Sequence, residues 1–159
     1  MFFSFKLPHT RQVTLRMAIV LGKNGGVIKP FMNLLRFGLG GKQGNGKQMF
    51  SWIHIEDLYQ IVLFIQAHKE LNGVLNCSAP NPVNNETLMN SLRKETNTKI
   101  GFASPAWLLK IGAVFIKTET ELILKSRWVI PERLLQTGYV FRYPTISIAI
   151  HNILEDDSH

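Results

Sequence analysis

A chain of 159 residues, 45% hydrophobic and 18% charged, has the size and composition of one ordinary globular domain, which excludes a disordered or low-complexity polymer. Its single cysteine, Cys77, excludes an intramolecular disulfide and suits a reducing, cytoplasmic setting; no run reaches the roughly 18 apolar residues of a membrane helix. The net charge of +7 is lopsided, with eight Lys/Arg and no Asp or Glu before Glu56, which points to an anionic partner or to acids supplied by another segment.

The start, MFFSFKLPHTR, has neither the basic region nor the cleavage site of a signal peptide. Val13 to Leu21, VTLRMAIVL, is apolar on both sides except at Arg16, the pattern of a central strand covered on both faces. Pro30 stands near the start of a short apolar segment, FMNLLRF, which predicts a helix ending at Gly38. Met49 to His54 predicts a strand, and Glu56 and Asp57 suit the positive N-terminus of the helix that follows. Leu58, Ile61, Val62 and Ile65 form that helix's expected buried stripe. Asn72-Gly73 turns into a strand from Val74 to Ala79, and Asn84 caps a helix carrying Leu88, Met89 and Leu92. Ser104-Pro105 opens the helical AWLLKIGAVF, and Arg127 to Ile130 predicts a short strand. Pro131 to Thr137 is a helical turn or two closed by Gly138, and Thr145 caps a last helix to about Leu154, before the acidic EDDSH.

Gly41 to Gln48, GKQGNGKQ, falls one residue short of the phosphate loop G-x-x-x-x-G-K-[ST], with Gln48 in place of the Mg²⁺-binding hydroxyl. The context is also reversed. A phosphate loop runs from a strand into the N-terminus of a helix, whereas here a helix precedes the loop and a strand follows it. The dinucleotide fingerprint G-x-G-x-x-G is missing as well. No ATP binding is expected.

Three segments, LRMAIVLGKNGG, FGLGGKQGNGKQMFSWIHIEDL and LNCSAPNPVNNETL, together resemble the epimerase-like branch of the extended short-chain dehydrogenase/reductases. The continuation, ASPAWLLK to RLLQTGYVFRYPT, is similar to the C-terminal domain of unknown function appended to that branch. The resemblance runs from about Arg11 to Ile150. It implies an α/β chain: residues 1–100 as the C-terminal part of a Rossmann-type parallel sheet, residues 101–154 as a small, mostly helical domain, and 155–159 as an acidic tail. The family's glycine-rich cofactor loop and catalytic Tyr-x-x-x-Lys have no counterpart here, since none of Tyr59, Tyr139 and Tyr143 has Lys four residues later. The expectation is therefore a chain without the N-terminal Rossmann half, with no catalytic residue of its own.

By the same resemblance, NAD(P) is the cofactor and Arg16 contacts its phosphate-bearing part, although the isolated chain should bind it weakly. Met17 departs from the commoner Thr or Ser. Lys47, Trp52 and His54 are candidate contacts to a small substrate, phosphorylated or a nucleotide-sugar. Each has a structural alternative: Lys47 a solvated loop cation, Trp52 a core residue, His54 a buried hydrogen-bonded histidine at a strand end. No His, Cys or carboxylate cluster has metal-ligand spacing. Three readings follow. The chain is the substrate-side part of an epimerase- or reductase-like enzyme, a non-enzymatic module docking on a separate Rossmann chain, or a basic nucleic-acid binder. The last is disfavoured because its aromatics do not interleave with its basic residues. Self-association is expected wherever strand edge and apolar face lack their partner.

Overall fold

The structure, a computed structural model, describes residues 9–23, 26–103 and 128–155. The helix expected after Ser104-Pro105 and the tail beyond Glu155 lie outside them. The expected strand Val13 to Leu21 is two strands, β1 (Val13–Met17) and β2 (Ile19–Leu21). β1 pairs in parallel with β5 (Gly73–Cys77), setting Leu15 against Leu75 and Arg16 against Asn76. β2 pairs in parallel with β4 (Trp52–His54). The change of partner happens at Ala18, whose N–H donates to Cys77 O at 3.0 Å while the N–H of Ile19 donates to Ser51 O at 3.2 Å. Successive N–H groups of a pleated chain point to opposite sides, so one run serves two neighbours. The strand is not covered on both faces as expected: Arg16 is exposed and Met17 is 60% exposed.

The expected strand Met49 to His54 is likewise divided at Ser51, because β3 (Met49–Phe50) pairs antiparallel with β6 (Val83–Asn84). Helix α1 (Ile28–Arg36) buries Ile28, Phe31 and Leu35. It ends where the N–H of Gly38 donates to Leu35 O and that of Leu39 to Leu34 O, with Gly38 at φ 74°. This double closure satisfies the last carbonyls and needs the left-handed backbone that glycine adopts freely. Helix α2 (Ile55–Ala67) buries Asp57, Ile61 and Ile65, while Val62, expected in the stripe, is 36% exposed. One guanidinium, that of Arg11, closes its C-terminal end by donating to the carbonyls of Ile65, His68 and Leu71 at 2.8–2.9 Å.

Helix α3 (Asn85–Glu95) starts as expected on Asn84, whose side chain accepts from the N–H of Thr87 at 2.8 Å. Helix α4 (Glu132–Gln136) and helix α5 (Ile146–Glu155) complete the described elements. Two apolar clusters hold them together. The first joins Leu21, Phe31, Trp52, Leu88 and Leu92 to Ile146, Ala149, Ile150 and Ile153 of α5. The second joins Ile53, Ile61, Ile65 and Leu75 to Leu134, Tyr139 and Phe141. Both clusters draw on residues before 100 and after 128, so the core is shared across the boundary read from the sequence.

The glycine-rich loop is a packing device. Its Gly41 N–H donates to Phe102 O, and the Phe102 N–H donates to Gly38 O, at 3.1 and 2.9 Å. A Cβ at Gly41 would stand 2.6 Å from Gly101 O and 2.7 Å from Ala103 N, so only glycine permits this approach. The first amides of α3 are already used: Asn85 N–H donates to Gln48 O and Glu86 N–H to Gly46 O. No helix N-terminus is open to phosphate there.

Candidate ligand site at the strand ends

In open parallel α/β sheets, ligands gather at the carboxyl ends of the strands. β1 and β5 run parallel and end side by side at Met17 and Cys77. Beside these ends lies an open cavity of about 370 Å³, lined by Arg16, Met17, Ala18, Asn76 and the segment Trp128–Ile130. That segment, the described part of the strand expected at Arg127 to Ile130, forms no strand and is strapped down by side chains. Ser51 Oγ accepts from the N–H of Val129 at 2.8 Å. Ser78 Oγ donates to Val129 O at 3.1 Å, and Asn76 Nδ2 donates to Ile130 O at 3.3 Å. The serines do for the strap what a backbone ladder would have done, and they leave Trp128 69% exposed.

The candidate residues separate. Arg16 lies on this cavity and makes no ion pair among the described residues. Trp52 does not: it is fully buried in the first cluster, with its indole N–H donating to Asn81 O at 3.2 Å. A ring so enclosed offers no face for stacking. The exposed tryptophan is Trp128, which sequence reasoning passed over; the run RWVI contained the aromatic but not its surroundings. Lys47 is exposed on the glycine loop, its N–H bonded to Asn45 Oδ1, and does not line the cavity. Another open cavity of about 310 Å³ collects Lys23, Lys29 and Arg36 with Ile28, Met32 and Leu154, and holds part of the early positive excess.

His54 belongs to a different arrangement. It is buried, and its Nδ1 accepts from the N–H of Glu56 at 3.2 Å as the N-cap of α2. Its ring lies on that of Tyr143, centroids 3.8 Å apart. Burial holds its pKa below the ordinary value, against the opposing pull of Glu56 and Asp57. Next to it, both carboxylate oxygens of buried Asp57 accept backbone N–H groups, Arg142 on Oδ1 and Tyr143 on Oδ2, each at 2.9 Å. Glu56 Oε2 accepts from Tyr143 OH and Arg142 Nη1 at 2.9 and 3.0 Å. Tyr139 OH donates to Asp57 O at 3.2 Å. His54, Glu56 and Asp57 thus clasp the segment between α4 and α5, which is a structural task. Burial also pushes the Cys77 thiol up to about 11, so it stays protonated and unreactive near neutral pH. Among the described residues no group of His, Cys, Asp and Glu could hold a metal ion, and no helix is long and apolar enough to cross a membrane.

Known proteins resemble this chain in sequence and in fold. The family described as domain of unknown function (DUF1731) matches residues 104–153. The human epimerase family protein SDR39U1 is 34% identical over 145 residues, which cover 91% of this chain and 49% of the human protein. The crystal structure of that protein (isoform2) with NADPH matches with a TM-score of 0.80, over 92% of this chain and 49% of that one. A nucleoside-diphosphate sugar epimerase from Corynebacterium glutamicum is 30% identical, with a TM-score of 0.68 over 91% of this chain and 26% of that one. The chain spans about half the length of the human relative. Its paired parallel strands are therefore part of a Rossmann-like α/β fold, and the chain is similar in sequence and structure to the C-terminal part of epimerase family proteins.

Proposed function

We propose that this chain is the substrate-side part of an NAD(P)-dependent epimerase-like or reductase-like protein, acting on a phosphorylated or nucleotide-sugar small molecule, cytoplasmic, and inactive by itself. The observation that carries this reading is the cavity at the ends of β1 and β5, with the Arg16 guanidinium on its wall. An exposed guanidinium without a counter-ion among the described residues fits an anionic ligand, and its planar fork suits phosphate. The relatives named above include a protein solved with NADPH and a nucleoside-diphosphate sugar epimerase, which favours the same ligand class. NAD(P), when bound, supplies hydride transfer. Arg16 would hold its anionic part or that of the substrate. Lys47 and Trp52 have no part in this site, and His54 serves it only by fixing the start of α2. Residues 1–100 and 101–154 act as two sequence units on one core, with the strap Trp128–Ile130 as the second unit's contribution to the cavity.

A second reading, a module that docks on a Rossmann-containing chain, is favoured by the outer face of α2. Ile55, Tyr59, Val62 and Leu63 are all partly to largely exposed there. Both readings leave the isolated chain a weak binder. NADPH titration followed by NMR should give a Kd in the millimolar range, about −4 kcal/mol, weakened several-fold in Arg16→Ala. A Kd indifferent to Arg16 would remove the strand-end site, and micromolar affinity would show that the chain needs no further half.

A further inference from the structure

We infer that Trp128 is the stacking platform of the strand-end cavity, and that the ligand taken there is a nucleotide whose heterocycle lies on Trp128 while its phosphate meets Arg16. This rests on the ligand site proposed above and goes beyond it by assigning the second contact and the ligand's two-part chemistry. Three observations lead there. First, about 370 Å³ is far more room than one phosphate fills and falls within the usual size of small-molecule sites. Second, the wall beside Arg16 is apolar and wet: Met17, Trp128 and Ile130 are 60%, 69% and 42% exposed. Large apolar side chains gathered round one cation suit a ligand with a planar apolar part and an anionic part together. Third, the two residues that follow Trp128 are held by side chains, Val129 by Ser51 and Ser78 and Ile130 by Asn76, so the backbone on that side of the ring is set before a ligand arrives. Preordering of this kind lowers the entropy lost on binding.

The shared chemistry, a heterocycle joined to phosphate, could come from the cofactor or from a nucleotide-sugar substrate, so the test uses both. The full chain, labelled at tryptophan indole nitrogens, is titrated with NADPH, with UDP-glucose and with inorganic pyrophosphate, in wild type, Trp128→Ala, Trp128→Phe and Arg16→Ala. Trp52, buried in the core, serves as the internal reference resonance. The expected result is that the Trp128 indole signal moves with at least one nucleotide and not with pyrophosphate. Base–aromatic stacking is worth about 1–3 kcal/mol, so Trp128→Ala should raise the Kd for that nucleotide about tenfold. Trp128→Phe should recover most of the loss, and pyrophosphate affinity should depend on Arg16 alone. Response to NADPH but not UDP-glucose assigns the platform to the cofactor, and the reverse assigns it to the substrate. Nucleotide affinity unchanged in Trp128→Ala overturns the platform while leaving the Arg16 site standing. Equal losses for nucleotide and pyrophosphate in that variant also overturn it, since the ring would then act only by holding the strap. No saturation with any of the three probes overturns both the platform and the site.

Discussion

Asp57 holds two backbone amides that lie 85 and 86 residues further along the chain, and it does so from inside the core. A carboxylate with both oxygens engaged cannot be replaced by an amide without turning one acceptor into a donor that faces another donor. Asp57→Asn should therefore lose about 2–3 kcal/mol, the range for a hydrogen bond to a charged group plus an unsatisfied buried N–H. Urea unfolding will measure it, and a loss below about 0.5 kcal/mol would mean the clasp is slack. His54, beside it, gives the fold a pH dependence. The unfolded chain takes up a proton near pH 6.5, whereas burial makes the folded ring resist it. The unfolded state then binds more protons, so this contribution is complete above pH 6.5 and is lost as pH falls through the lower folded-state value. Protonation of Nδ1 would also end its acceptance of the Glu56 N–H. His54→Asn, which keeps a capping oxygen, should flatten the melting-temperature profile between about pH 7.5 and 5; an unchanged slope would assign the effect to other groups. Local roles such as the Asn84 cap were legible because partner and residue lie three positions apart. The exposure of Trp128 was not, since it depends on what the rest of the chain places over the ring.

Helix α2 shows how an element's pattern can mislead. Periodicity placed Val62 inside, but Asp57, Ile61 and Ile65 form the buried line, i, i+4, i+8. The clasp holds the Asp57 carboxylate inside, in line with Ile61 and Ile65, while Val62 stands at the margin of the buried face. A polar residue at a helix start is ordinarily read as exposed, so nothing in the apolar spacing reveals that placement. Strand division at Ala18 and Ser51 was hidden for a similar reason: apolar runs continue through both, and only the partners change. Helix ends at Gly38 and Gly138 were legible because a left-handed residue closes a helix by geometry alone. The glycine loop yields its own prediction. Gly41→Ala would force the backbone of residues 101–103 away, at a cost of about 1–3 kcal/mol, the usual range for overpacking. Thermal melting will show it, and an unshifted melt would mean that residues 101–103 do not rest on the loop.

At the scale of the whole molecule, two surfaces are left without cover among the described residues. β1 has β5 on one edge and no second neighbour, and the outer face of α2 shows Ile55, Tyr59, Val62 and Leu63 to solvent. Exposed edges and apolar faces pair with other chains. The formal charge of +7 opposes that in dilute buffer, and salt screens the opposition. The isolated chain should therefore associate as ionic strength rises, and the double variant Val62→Lys, Leu63→Glu should shift the onset to higher salt. Light scattering decides: a monodisperse wild-type monomer at all salt concentrations, melting cooperatively above about 55 °C, would show these surfaces to be harmless.

The clasp also sets an order in time. A ribosome adding about 5–20 residues per second needs about 4–17 s to pass from Asp57 to Tyr143, 86 residues later. For most of that interval the first cluster lacks α5 and the second lacks Leu134, Tyr139 and Phe141. A nascent chain therefore displays Leu21, Phe31, Trp52 and Leu88 with no lid, and is a natural client for chaperones until its last helix emerges.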